Sequence, residues 1–159
     1  MKPFSFVHTA DLHLDSPFVG LQSVDDHVAS TLRDATFHSF DRIVELCLER
    51  NADFLLVAGD IYDSRDRSLR AQLRFRDGLR RLSEEGVSSF VVHGNHDPLD
   101  SWAASLEWPE RTHIFGGSAV TAEPVERDGQ MIALVYGISY PTQEVRENLA
   151  RKFRRRDDG

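Results

Sequence analysis

Three short stretches of this 159-residue sequence hold the residue types that bind cations and move protons: Asp11-Leu12-His13, Gly59-Asp60-Ile61-Tyr62-Asp63 and His93-Gly94-Asn95-His96-Asp97. In Asp11-x-His13 a two-residue step puts both side chains on one side of an extended segment, where they can chelate one cation. The two carboxylate oxygens of Asp60 can bridge two cations. Asn95 offers a neutral oxygen, and a glycine beside it lets the backbone turn sharply. His96, one residue further, faces the other way and can pass a proton near neutral pH. Mixed imidazole, carboxylate and amide donors suit manganese, iron or zinc rather than a cysteine-built structural zinc site. Two such cations roughly 3.5–4 Å apart polarise phosphoryl oxygens and activate water for in-line attack on phosphorus.

Each stretch follows a strand-like run. Phe4-Ser5-Phe6-Val7 precedes the first, the continuous apolar run 53–58 the second, and Ser89-Phe90-Val91-Val92 the third. An apolar run of that length reads as a strand covered on both faces. Between them, Val28, Leu32, Ala35, Phe40, Ile43, Val44 and Cys47 recur at helical spacing, predicting a helix over 28–50. A second helix is expected over 68–85, with Leu69, Leu73, Leu79 and Leu82 inward and Gly86 stopping it. A loop with Pro17 and Gly20 follows the first stretch. Further on, 101–108 reads as a short helix, while 113–115, 119–121 and 131–136 read as strands with an Asp128-Gly129 hairpin turn. A charged helix is expected over 142–156. Alternating strands and helices, then strands, imply an α/β sandwich with parallel early strands. In open parallel sheets ligands collect beyond the carboxyl ends of strands, where all three polar stretches lie.

Composition sets the bounds. The length suits one domain with a real core. The lone Cys47 excludes an internal disulfide and fits a reducing compartment. The first ten residues lack a signal-peptide pattern, and no apolar run is long enough to span a membrane, so a cytoplasmic location is expected. The net charge of −7 disfavours non-specific duplex binding through counterion release. It is uneven, however, with seven arginines between 65 and 81 against Asp66 and Asp77.

The three stretches resemble the first three motifs of the calcineurin-like metallophosphoesterases. The string from His8 through Phe18 is most similar to the DNA-repair exonuclease branch, the SbcD-like nucleases. The resemblance runs from Phe4 to about Tyr140. It implies an α/β/β/α sandwich in which Asp11 and His13 hold a first metal, Asp60 bridges, Asn95 holds a second, and His96 is the catalytic acid. Asp63 and Asp97 would orient these groups from behind. It also implies two divalent ions, with manganese expected, DNA as substrate, an SbcC-like partner ATPase and a homodimer. The sequence departs from the family pattern in lacking the later His-ended strand and the Gly-His-x-His motif. The expectation is therefore a single nuclease domain over 1–159, incomplete at its C-terminus and short of metal ligands.

Function is then read as metal-dependent phosphodiester hydrolysis, with DNA end processing by exonuclease action as the family's implication. A small-molecule phosphatase or phosphodiesterase of the same superfamily is the alternative. A catalytically incomplete remnant that only binds or dimerises is another. His8 and His93 read as strand-end supports, and His27, His38 and His113 as ordinary histidines. The arginines at 65, 67, 70, 74, 76, 80 and 81 point several ways around a helix and read as a solvated face, with a nucleic-acid track as the alternative. For Trp102 and Trp108 core packing is expected first and a dimer contact second.

Overall fold

The structure is a computed structural model and describes residues 3–16, 26–63 and 67–154. Pro17, Phe18, Gly20, Arg65 and residues 155–159 lie outside the described residues, as do the side chains of His27 and Val28.

Strand β2 (Phe54–Ala58) shows why its sequence is apolar throughout. It pairs in parallel with β1 (Phe6–Thr9) on one side and β3 (Ser88–Val92) on the other. Its alternate side chains enter two different cores. Leu55 and Val57 point into one, and Phe54 with Leu56 into the other. A fourth strand, β4 (Thr112–Ile114), adds in parallel to β3, giving the order β1-β2-β3-β4.

Helices α1 (Asp26–Glu49) and α2 (Leu69–Glu84) cover one face, burying Phe37, Phe40, Val44, Phe75, Leu79 and Leu82 against Leu55, Val57 and Val91. Their close approach rests on Gly78, where any Cβ would run into the Phe40 ring. Helix α2 starts where the sequence puts a capping serine. The Ser68 hydroxyl accepts from the Ala71 peptide N–H at 3.0 Å. It ends in a Schellman turn, with the Val87 N–H reaching Leu82 O and the Gly86 N–H reaching Ser83 O, and Gly86 at φ 81°. Helix α1 ends the same way with Asn51 at φ 50°.

The opposite face is covered by an antiparallel hairpin, β5 (Thr121–Arg127) and β6 (Gln130–Gly137), whose Val125 and Ile132 pack on Phe54, Phe90 and Phe115. Asp128 and Gly129 both take positive φ, at 55° and 70°, as a two-residue primed turn requires. The layers are therefore helix, sheet, sheet. The second helix layer of the expected α/β/β/α arrangement does not occur among the described residues.

Several expectations need correction. Residues 101–108 form no helix. Eight residues ending just before Pro109 are too few to hold a helix alone, and the proline biases Trp108 towards extended backbone. The expected tail helix shrinks to a 3₁₀ turn at Leu149–Lys152. Its charged sequence offers too little apolar surface to dock, and docking supplies most helical stability. Leu69 is exposed, because it is the first residue of α2 and lies beyond the sheet; Ala71 and Phe75 fill the inward positions. Trp102 is 59% exposed, so it is no core residue, while Trp108 packs edge-on against Phe75. No described helix is long and apolar enough to cross a membrane.

Cys47 is fully buried, and burial pushes its thiol up to about 11. The thiolate is the reactive form. Ellman's reagent at pH 8 is therefore expected to leave the folded chain unmodified and to titrate one thiol after denaturation. Rapid native modification would show that α1 does not stay docked.

Candidate metal centre

The ends of β1, β2 and β3 share one rim because the three strands are parallel and nearly in register. The chain leaving β1 does not wander off this rim. It is stitched to the chain leaving β2 by three peptide hydrogen bonds: Asp11 N–H to Gly59 O, His13 N–H to Asp60 O and Leu14 N–H to Ile61 O, at 3.2, 3.1 and 2.9 Å. A bridge between Leu14 and Tyr62 ends the zipper. Within it Asp11, His13, Asp15 and Asp60 take left-handed φ values of 54°, 43°, 62° and 50°. Such values are uncommon outside glycine and are tolerated best by Asp, Asn and His.

This backbone brings one ligand atom each from Asp11, His13 and Asp60 within 4.8 Å of one another. Asp11 is exposed and the other two half-buried. Two carboxylates and an imidazole at that spacing are a donor set that fits a divalent ion. The third loop is hung on the same carboxylate. The His96 peptide N–H donates to Asp60 Oδ1 at 3.1 Å. Gly94 lies so close that a Cβ there would run into the Asp60 carboxylate and sit 2.8 Å from its backbone nitrogen. Glycine is needed for this approach. Asn95 is exposed between these two contacts and so belongs to the same rim.

A second cluster joins His13, Asp63 and His96, again with ligand atoms within 4.8 Å. Asp63 Oδ1 stands 3.8 Å from His13 Nδ1 and 3.4 Å from His96 Nδ1. The two rings meet edge to face at 5.4 Å. The Ser16 hydroxyl donates to Asp63 Oδ2 at 2.6 Å. That hydrogen bond, together with the nearby histidines and against partial burial, holds the Asp63 carboxyl below the usual carboxylate range. Asp63 thus touches both histidines directly.

Asp97 lies under the rim with no exposure. Its Oδ2 accepts from the Ile61 N–H at 3.1 Å and lies 3.0 Å from His93 Nδ1, while Oδ1 accepts from the Gly94 N–H at 2.7 Å. One carboxylate therefore ties the Asp60 loop to the Gly94 loop. His93 is buried, and its own N–H donates to the Ser139 hydroxyl at 3.0 Å.

Three supports went unread in the sequence. Arg67, counted there as part of a solvated face, is buried; its guanidinium donates to the carbonyls of Asp97 and Pro98 and lies 5.5 Å from the Tyr62 ring centre. Ser139 is buried, and Tyr140 N–H donates to His93 O at 2.9 Å, so the chain leaving β6 clamps the third loop. Ser68 caps α2 and also donates to Asp15 Oδ2. Only the last had a signal, a serine just ahead of a helical period. Four arginines of α2 are paired, Arg70 with Asp34, Arg74 with Asp41, and Arg76 and Arg80 with Asp77, while Arg81 is exposed in the last turn. His113 sits on β4 with its ring on Phe115 and Nε2 3.6 Å from Glu123, away from the rim.

Comparison with known proteins agrees with this geometry. The chain is 38% identical to an uncharacterised metallophosphoesterase, YhaO of Bacillus subtilis, over 99% of its own length and 39% of that protein's. It is 33% identical to the DNA double-strand break repair protein Mre11 of Aeropyrum pernix over 57% of this chain and 20% of that one. For Mre11 of Methanococcus maripaludis the figures are 27%, 73% and 29%. The chain thus spans less than half the length of each of these relatives. Residues 4–156 match the calcineurin-like phosphoesterases. The chain belongs to that family, whose members use divalent metal ions.

Proposed function

We propose that this chain supplies the cation-binding rim and the proton donor of a phosphodiester hydrolase acting on DNA ends. The observation that carries the reading is the convergence of Asp11, His13 and Asp60 within 4.8 Å, with the His96 loop bonded to the same Asp60 carboxylate. In this reading Asp11, His13 and Asp60 would hold one divalent ion, Asp60 and Asn95 would contribute to a second, and manganese is the expected metal. When bound, such ions polarise phosphoryl oxygens and lower the pKa of water. The protein's own task is then orientation and proton delivery. With Nδ1 turned towards Asp63, His96 has Nε2 left to protonate the departing oxygen. Asp97 and Arg67 fix the loop that presents it.

The DNA substrate is supported by the Mre11 relatives, whose names place them in double-strand break repair. A homodimer and a partner ATPase belong to the same reading. A small phosphodiester is the second reading, favoured by the net charge of −7 and by the pairing of the α2 arginines with acidic residues, which leaves them poorly placed to follow a phosphate backbone.

Calorimetric titration of manganese into the chain is the test. Binding is expected to be single or weak, and to fall by more than about 100-fold in Asp60→Asn, beyond the usual cost of losing an outer hydrogen-bond partner of a metal ligand. Asn keeps the left-handed backbone and an acceptor for the His96 N–H, so the change removes the charge and one ligand oxygen while sparing the loop. Unchanged affinity would remove Asp60 from the metal centre. Two tight sites would mean that this chain already contains a full ligand set.

A further inference from the structure

A cleft of about 740 Å³ opens beside His96 and runs to Trp102, lined also by Asp100, Thr142, Gln143 and Glu144. Its indole wall is 59% exposed and so is accessible to a ligand entering the cleft. The backbone behind that wall is fixed. Leu99 N–H donates to Tyr140 O at 3.0 Å, Asp100 N–H to Pro141 O at 3.2 Å, and Ala104 N–H to Gln72 Oε1 at 2.8 Å. The chain on both sides of the cleft is thus held in place before any ligand arrives.

The lining chemistry narrows the occupant. Asp100 and Glu144 would repel a run of phosphates, so the cleft does not suit a continuous backbone. Carboxylate and amide oxygens accept hydrogen bonds, which suits the exocyclic amino groups of a base, and an exposed indole offers a stacking face. We propose that this cleft holds the nucleobase of the nucleotide next to the scissile phosphate, stacked on Trp102, with Asp100 and Glu144 accepting from its amino group. The inference rests on the phosphodiesterase reading of the rim and adds to it a nucleotide, rather than a plain alkyl or sugar group, on the His96 side.

The probe is dAMP, with deoxyribose 5-phosphate as its base-free control, titrated into the metal-free chain while tryptophan fluorescence and equilibrium dialysis are followed. Saturable quenching by dAMP alone is expected. Trp102→Leu should abolish the quenching and weaken dAMP binding about tenfold, in line with the loss of one stacking platform. Trp102→Phe should retain most of the affinity while losing the signal. The exposed position makes unfolding of either variant unexpected, and circular dichroism checks it. Equal responses to both ligands, no binding of dAMP, or unchanged affinity in Trp102→Leu would each overturn the proposal. Failure of the hydrolase reading shows elsewhere, as manganese affinity indifferent to Asp60→Asn, so the two failures are distinguishable.

Discussion

On the proposed reading, His96→Ala is expected to cut turnover on DNA by roughly 10²–10⁴-fold, the usual contribution of a positioned general acid. Metal content should stay unchanged. The side chain is half exposed and among the described residues meets Asp63 and the His13 ring, so its removal is expected to leave the fold intact. A sharper signature lies in the leaving group. A deoxyribose oxygen needs a proton as it departs, whereas p-nitrophenolate does not. The variant should therefore lose far less activity on a nitrophenyl diester than on DNA. Metal loss in the variant would make His96 a ligand instead, a role the His13–Asp63–His96 cluster makes concrete. Equal losses on both substrates would rule out proton donation.

Asp97→Ala is expected to be the most destabilising single substitution at the rim. The side chain is fully buried and receives the Ile61 and Gly94 peptide N–H groups and the His93 ring. Truncation leaves those groups without an acceptor and removes a negative charge that offsets the burial of the Arg67 guanidinium. Breaking a buried charged network of this kind costs about 3–5 kcal/mol. Against a typical total stability of about 5–15 kcal/mol, that is a large share. Thermal denaturation should show a fall of about 10 °C, at about 2–4 °C per kcal/mol for a chain of this size. Asp97→Asn, which keeps an acceptor, should recover part of the loss. A shift of a degree or two would mean that water replaces the carboxylate and that the loops are held mainly by Arg67 and Ser139.

The parallel strands, both long helices and the Asp128-Gly129 turn were legible because each is a local pattern (an apolar run, a helical period, a turn dipeptide), whereas the strand ahead of that turn was expected at 119–121 and runs Thr121–Arg127. The clustering of Asp11, His13, Asp60 and the His96 loop was legible for a related reason, since parallel strands place their C-terminal loops on one rim. Arg67 and Ser139 were not. Their roles depend on which distant backbone groups come to lie beside them, and an arginine among six others carries no mark that it alone turns inward. The same limit explains 101–108. Its apolar residues hint at a helix, yet the segment's course is set by hydrogen bonds to Gln72 and to the chain after β6.

The left-handed backbone at Asp11, His13 and Asp60 carries a consequence for variation. A residue held there costs on the order of 1–3 kcal/mol of strain, which β-branched or bulky side chains would raise. Drift at these positions is thus biased towards Asp, Asn, Gly and His by shape alone, before any cation is considered. A descendant that had abandoned hydrolysis could still carry a deceptively intact rim. On the proposed reading Asp60→Asn would keep the backbone and the acceptor for the His96 N–H and lose the chemistry, Asp60→Gly would also release the His96 loop, and Asp60→Val would strain the backbone as well. Inheritance of these letters and retention of activity are separate questions, and the backbone angles are what separate them.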